Sequence, residues 1–129
     1  VPINMYRLKF EEFGMALVGL AGPLTNFLLA IIAGLLLRFT GTSGWLGQFL
    51  LVNVSINVGL GVFNLIPFPP LDGSRVLYAL APEPIQKVMM QIERMGFSAI
   101  IFFMFIIFPF IGPAIIRIQD VLLRLVLGG

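Results

Sequence analysis

Apolar and polar positions alternate along the chain in long blocks, and two of the apolar blocks contain no charged residue. They cover residues 14–37 and 45–66. An α-helix rises about 1.5 Å per residue, so about 20 apolar residues cross a hydrocarbon core. Each block therefore predicts a transmembrane helix, and the short polar turn at residues 40–44 predicts that the two helices are antiparallel neighbours.

Prolines punctuate the second half of the chain. Three of them follow the second apolar block, and because proline lacks an amide N–H, residues 67–74 are predicted to form a non-helical loop. A helix over 84–108 is predicted to start amphipathic and to contain a third span, with Pro109 and Pro113 breaking it. An amphipathic helix over 113–127 is expected to lie at the interface or against a partner. The fold class is an all-α, polytopic membrane helix bundle of about three transmembrane helices, forming a single domain over 1–129.

Composition supports a membrane protein and excludes several chemistries. Hydrophobic residues make up 59% and charged residues 11% of the chain, whereas soluble domains carry about 25% charge. The chain has no cysteine and no histidine, which excludes disulfides, a Ser-His triad and any histidine-ligated metal site built from this chain alone. Basic residues are scattered singly, so no nucleic-acid partner is expected.

The two ends of the predicted spans differ slightly in charge. Residues 1–12 and 67–94 together carry five Lys/Arg, against three at the opposite end. The positive-inside rule then predicts that the proline-rich loop faces the cytoplasm. The chain opens without an initiator methionine, which we interpret as a piece of a longer protein.

Polar residues inside the spans are candidates for chemistry. Asn53, Asn57 and Asn64 fall within about 40° of one another on a helical wheel, and the stripe is interpreted either as interhelical hydrogen bonding or as a functional surface. Gly61 lies beside the stripe and is expected to allow a close approach.

Asp72 is the acidic residue for which the sequence allows the largest number of different roles. If the loop folds back against the bundle, its carboxylate lies at membrane depth, where a metal ligand or proton-handling group is expected. The alternative is an ordinary Asp-Gly turn or a helix N-cap. Both interpretations remain open from the pattern alone.

Two motifs resemble the site-2 protease family of intramembrane zinc metalloproteases. They are Ala21-Gly22-Pro23-Leu24-x-Asn26 in the first span and Asn64-Leu-Ile-Pro67-x-Pro69-Pro70-Leu71-Asp72-Gly73 after the second. The second motif is the more specific, and the resemblance covers nearly the whole chain. It implies cleavage of transmembrane segments of substrate proteins, with one zinc ion held by two histidines of a His-Glu-x-x-His motif and by the aspartate that matches Asp72.

The resemblance also implies roles for other residues. Asn64 would hydrogen-bond the scissile carbonyl as a catalytic residue. We predict substrate-facing residues at Asn57, Pro67, Pro69, Pro70 and Leu71, and structural motif residues at Gly22, Pro23, Asn26 and Gly73. The extended 67–71 segment is expected to hold an unwound substrate by backbone pairing.

Because the chain has no histidine, it lacks half of that site. The favoured hypothesis is that upstream helices of the same protein carry His-Glu-x-x-His, and that this chain alone binds no catalytic zinc and is inactive. The alternatives are a degenerate family member and a non-catalytic module that binds or scaffolds other transmembrane helices. A transporter is disfavoured because matched, interrupted repeats are absent. The expected partners are a transmembrane substrate, the upstream helices and the lipid bilayer, in a multi-pass protein of a prokaryotic cell membrane.

Overall fold

The structure, a computed structural model, describes residues 5–68 and 71–128, with side chains from Lys9 onward. Every regular element in those ranges is helical. The elements in chain order are α1 (Met5–Thr40), α2 (Gly44–Asn64), α3 (Asp72–Leu80), α4 (Glu83–Arg94), α5 (Phe97–Phe102), a π-helical segment (Phe103–Ile107) and α6 (Phe108–Leu127).

Three helical stretches are long and apolar enough to cross a membrane. They are Lys9–Thr40, Gly44–Asn64 and Phe97–Leu127. The predicted all-α fold with three spans is therefore confirmed. The first helix extends further toward the N-terminus than the predicted span, because α1 already begins at Met5.

The predicted bounds of the third span are wrong. The chain does not continue as one helix over 84–108: α4 ends at Arg94, and Gly96 interrupts the helix with φ 58°. It also does not break at the prolines, because helix continues through Pro109 and Pro113 to Leu127. No separate amphipathic helix over 113–127 exists.

The π-helical segment explains how the third span tolerates proline. It ends at Ile107, two residues before Pro109, and at its end the Phe108 amide donates to the Phe103 carbonyl, five residues earlier. A proline removes one amide donor and crowds the preceding turn, and membrane helices accommodate this by local changes of helical register.

The core forms where α1 and α2 pack as an antiparallel hairpin. Small residues of α1 face branched residues of α2, and the fully buried members include Ala30 and Val54. The third span completes the bundle near the hairpin turn, where Val126 packs onto Gly34 and the Arg38 guanidinium donates to the Val126 carbonyl at 3.2 Å.

The short helix α3 lies against α1 and runs in the opposite direction. At its C-terminal end, Lys9 donates to the Ala79 carbonyl at 3.1 Å. At its N-terminal end, Asp72 lies beside Gly19 and Gly22. Gly22 is 13 residues beyond Lys9, about 20 Å along the helix axis. The start of α3 therefore lies inside the length of the first span.

Candidate metal and substrate site

The described residues between α2 and α3 form hydrogen-bonded turns. The Phe68 amide donates to the Ile66 carbonyl and the Leu71 amide to the Phe68 carbonyl, both at 2.8 Å. Pro67, Pro69 and Pro70 have no amide hydrogen, although the structures of Pro69 and Pro70 lie outside the described residues.

Backbone pairing with a substrate uses amide donors or carbonyl acceptors, and residues 67–71 offer no free amide. Two of the amides are used inside turns and three positions are proline, so backbone pairing with a substrate would have to use the carbonyl groups, and it stays a prediction. Contact between substrate and the side chains of Pro67, Pro69, Pro70 and Leu71 stays a prediction.

Gly73 fixes the start of α3 against the end of α2. A Cβ atom on Gly73 would overlap the Leu65 carbonyl and would lie 2.7 Å from the Ile66 carbonyl oxygen. Only a residue without a side chain permits this approach. Asn64 precedes Leu65 and Asp72 precedes Gly73, so this one contact brings the backbones of the two predicted site residues near each other.

The Asp72 carboxylate is half-buried and lies against the first helix. Its Oδ2 would be 3.1 Å from a Cβ on Gly22. Among the described residues, no hydrogen bond or ion pair satisfies this carboxylate. A carboxylate at the first turn of a helix is favoured by the helix dipole, but that alone is a weak compensation.

The two structural interpretations of Asp72 are both wrong. Leu71, in extended geometry, occupies the N-cap position of α3, and no side chain caps this helix end. Asp72 is itself the first helical residue, so it forms neither an N-cap nor an isolated Asp-Gly turn.

The first-span motif forms the wall opposite Asp72. Gly22 provides the space for the carboxylate, and Pro23 is fully buried while Asn26 is half-buried. Gly19 belongs to the same wall, because a Cβ there would lie 3.1 Å from the Asp72 carbonyl oxygen and 3.2 Å from the Arg75 side chain. Sequence reasoning missed Gly19, although its i, i+3 spacing from Gly22 places both on one helix face.

The asparagine stripe divides into two parts. Asn57 is buried and its Nδ2 donates to both the Asn53 carbonyl and the Asn53 Oδ1 at 2.9 Å. These bonds lie within α2, so they are not the interhelical bonds that the pattern suggested. Asn57 is also seven residues before Asn64, about 10 Å along the helix, whereas Asn64, half-buried at the end of α2, lies next to the start of α3.

Gly61 does admit a close approach, but from within the bundle. A Cβ on Gly61 would lie 2.6 Å from Cε1 of the Phe27 ring in α1. Helix packing therefore accounts for this glycine.

An aromatic cluster anchors the loop to the third span. Phe68 stacks on Phe103 with ring centroids 4.7 Å apart, and Phe63 and Phe108 contact Phe103 at 6.5 and 6.1 Å. Sequence reasoning missed this cluster, because its members come from α2, the loop and the third span.

The donor set of the site is a single carboxylate. No group of three histidine, cysteine, aspartate or glutamate residues that could hold a metal ion occurs within 5–68 and 71–128. Zinc accepts aspartate oxygen as one of three protein ligands in catalytic sites. Asp72 fits that role because its carboxylate forms no ion pair among the described residues, and the remaining ligands would have to come from outside this chain.

The structure describes a membrane helix bundle with a carboxylate at the start of α3, unpaired among the described residues, and an asparagine at the end of α2, and the sequence comparisons identify the family. The chain belongs to Peptidase family M50, the site-2 protease family, whose sequence model matches residues 40–108. This match spans α2, the loop, Asp72 and the start of the third span.

Several metalloproteases are similar to this chain. "Putative zinc metalloprotease YwhC" of Bacillus subtilis is 34% identical over 118 residues, covering 84% of this chain and 53% of that protein. "Zinc metalloprotease MJ0392" of Methanocaldococcus jannaschii is 38% identical over 73 residues, covering 56% of this chain and 21% of that protein. A Thermotoga maritima protein, also named "Putative zinc metalloprotease", is 30% identical over 125 residues, covering 86% and 25%.

The chain thus spans about half the length of the Bacillus relative and a quarter or less of the other two. No solved structure matches the chain.

Proposed function

We propose that this chain is the part of an intramembrane zinc metalloprotease that supplies one zinc ligand, Asp72, and one substrate-facing amide, Asn64. The complete protein would hydrolyse peptide bonds in transmembrane segments of its substrates. The observation that carries the proposal is the Asp72 carboxylate, held within the length of the first span and forming no ion pair or side-chain hydrogen bond among the described residues. An ionised group at that depth is costly without a compensating charge, which a metal ion provides.

The chain's own residues would hold the ligand and orient the substrate. Gly73 allows the start of α3 to pack against the end of α2, and Gly22 leaves room for the Asp72 carboxylate. Zinc, when bound, would supply Lewis acidity and an activated water near neutral pH. The Asn64 amide would donate to the scissile carbonyl oxygen, where negative charge develops during attack.

The missing parts of the site would come from upstream helices of the same protein. Two histidines and the general base of a His-Glu-x-x-His motif are the expected complement, since this chain contains no histidine. The relatives come from bacteria and an archaeon, which supports a multi-pass location in a prokaryotic cell membrane.

The first experiment reads the coding sequence upstream of Val1 in the same frame and expresses the complete protein. We expect Asp72→Ala to lose stoichiometric zinc, measured by mass spectrometry of the metal, together with cleavage of a reconstituted membrane-segment substrate. Asp120→Ala is the matched control, because Asp120 is exposed on α6 and should keep both. Retention of zinc and cleavage by Asp72→Ala would contradict the proposal.

A second variant separates binding of metal from stabilisation of the reacting carbonyl. Asn64→Ala should retain zinc and lower kcat by about 10²- to 10³-fold, the effect typical of removing one such donor. Ser55→Ala, on the same helix and exposed, is the control. Unchanged kcat in Asn64→Ala would remove Asn64 from the site.

The absence of histidine in this chain also favours a second candidate, a non-catalytic module that binds other transmembrane helices. The upstream reading frame separates the two. An apolar helix with His-Glu-x-x-His supports the protease, whereas a start codon directly before Val1 supports the binding module.

A further inference from the structure

An apolar pocket of about 260 Å³ lies between the loop and the third span. Its walls carry no charged group: they are Phe63, Phe68, Leu71, Ile100, Phe103, Met104 and Phe108. Pockets for small molecules start at about 300 Å³, so this space suits one or two side chains and is too small for a helix.

The π-helical segment shapes this pocket. In an α-helix, positions 103 and 108 would point about 140° apart, yet the Phe103 and Phe108 rings lie 6.1 Å from each other. The wider turn returns Phe108 to the face of Phe103, and so places both rings on the pocket. Single π-helical turns occur frequently at functional sites.

Two residues that line the pocket are sequence neighbours of the two proposed site residues. Phe63 immediately precedes Asn64, and Leu71 immediately precedes Asp72. A peptide bond held between the Asn64 amide and the Asp72 carboxylate would therefore bring a flanking side chain to the mouth of this pocket.

One residue in the wall of the pocket, Met104, can be substituted to change the size of the pocket. Phe103 is only 4% exposed and belongs to the core, whereas Met104 is 59% exposed. Methionine is unbranched and flexible, so Met104 can be replaced without opening the core.

We propose that this pocket receives one large apolar side chain of the substrate, next to the scissile bond, and that Met104 sets the size accepted. The inference rests on the proposed protease function and adds its substrate preference. The occupant is a leucine, methionine or phenylalanine side chain of the membrane segment that is cut.

The test uses the complete protein and a membrane-segment substrate whose two residues flanking the cleaved bond are varied among Ala, Leu and Phe. The wild type should prefer Leu or Phe at one of these positions. Met104→Trp fills the pocket and should shift the ratio of kcat/KM for Phe over Ala by about tenfold toward Ala, the scale of discrimination by apolar pockets. Met104→Ala should shift the ratio toward Phe.

Phe105→Trp is the matched control, because Phe105 lies in the same π-helical segment but is 72% exposed and outside the pocket. Its profile should equal that of the wild type. If Met104→Trp cleaves with the wild-type profile, the pocket inference is overturned while the protease function stands.

A binding measurement keeps the pocket testable without turnover. A substrate carrying a benzophenone side chain at the preferred position is irradiated with the complete protein, and crosslinked peptides are identified by mass spectrometry. Crosslinks within residues 100–108 support the pocket, and their absence shows that lipid or another helix fills it. Absence of cleavage by the wild type, with or without crosslinks, counts against the protease function itself.

Discussion

Gly73 determines where the Asp72 carboxylate lies. Because Gly73 has no side chain, the start of α3 can pack directly against the Leu65 carbonyl. Asp72 is then the first residue of the helix, and its carboxylate lies beside Gly22. The glycine of the Asp-Gly pair therefore allows α2 and α3 to pack closely, and the pair does not form a turn.

Replacement of Gly73 should destabilise the protein. In Gly73→Ala, the added methyl group overlaps backbone that cannot move freely, so we expect a loss of about 1–3 kcal/mol in the free energy of unfolding. The midpoint of thermal unfolding of the complete protein in detergent measures it.

Gly14→Ala is the control for that measurement. No atom lies within 4 Å of a Cβ at Gly14, and alanine favours a helix over glycine by about 1 kcal/mol. We expect an unchanged or higher midpoint. Equal losses in both variants would show that the contact between Gly73 and Leu65 is unimportant.

Asp72, Asn64 and Gly22 could be proposed as site residues from sequence because their motifs are local in the chain, and the roles of Asp72 and Asn64 stay predictions. Gly19 and the Phe68–Phe103 stack could not be proposed, since they depend on contacts between distant segments. The use of the Phe68 and Leu71 amides in turns could not be read from sequence either, since it depends on how the backbone folds locally around the prolines.

The third span shows how a helix responds to proline in a membrane protein. The length of the apolar sequence predicted that this span exists. The rule that proline ends a helix, which is reliable in water, led to wrong predicted ends for the span. In a low-dielectric environment, breaking the helix would leave backbone groups without partners, so a change to π-helical register is less costly.

Phe103 should contribute strongly to the stability of this span. In Phe103→Ala, a side chain only 4% exposed loses its contacts with Phe63, Phe68 and Phe108, and we expect a loss of about 3 kcal/mol. Phe105→Ala, at a 72% exposed position of the same segment, should change stability little. Denaturant titration of both variants in detergent measures the difference, and similar losses would refute the role of the aromatic cluster.

The bundle as a whole leaves most of its spanning surface uncovered. Only 28%, 33% and 17% of the most apolar windows of the three spans are buried within the described residues. Lipid and the proposed upstream helices are the apolar surroundings that such a surface requires.

The orientation of the bundle remains a prediction from loop charge. With no cysteine in the chain, single replacements such as Thr42→Cys and Lys87→Cys report the sidedness of the α1–α2 turn and of α4. In the complete protein, cleared of any other cysteine, an impermeant maleimide should label Lys87→Cys in inside-out vesicles and Thr42→Cys in right-side-out vesicles. The reverse pattern would invert the orientation, and labelling of both from one side would contradict the three-span topology.

The three-residue turn between α1 and α2 bears on how the protein is made. Since the core residues of the hairpin all come from these two consecutive helices, their contacts are near in sequence and form early during synthesis. The hairpin can enter the bilayer as one unit before residues 97–127 leave the ribosome. The contact between Arg38 and the Val126 carbonyl then joins the turn end of the hairpin to the end of the third span, which is synthesised after the hairpin.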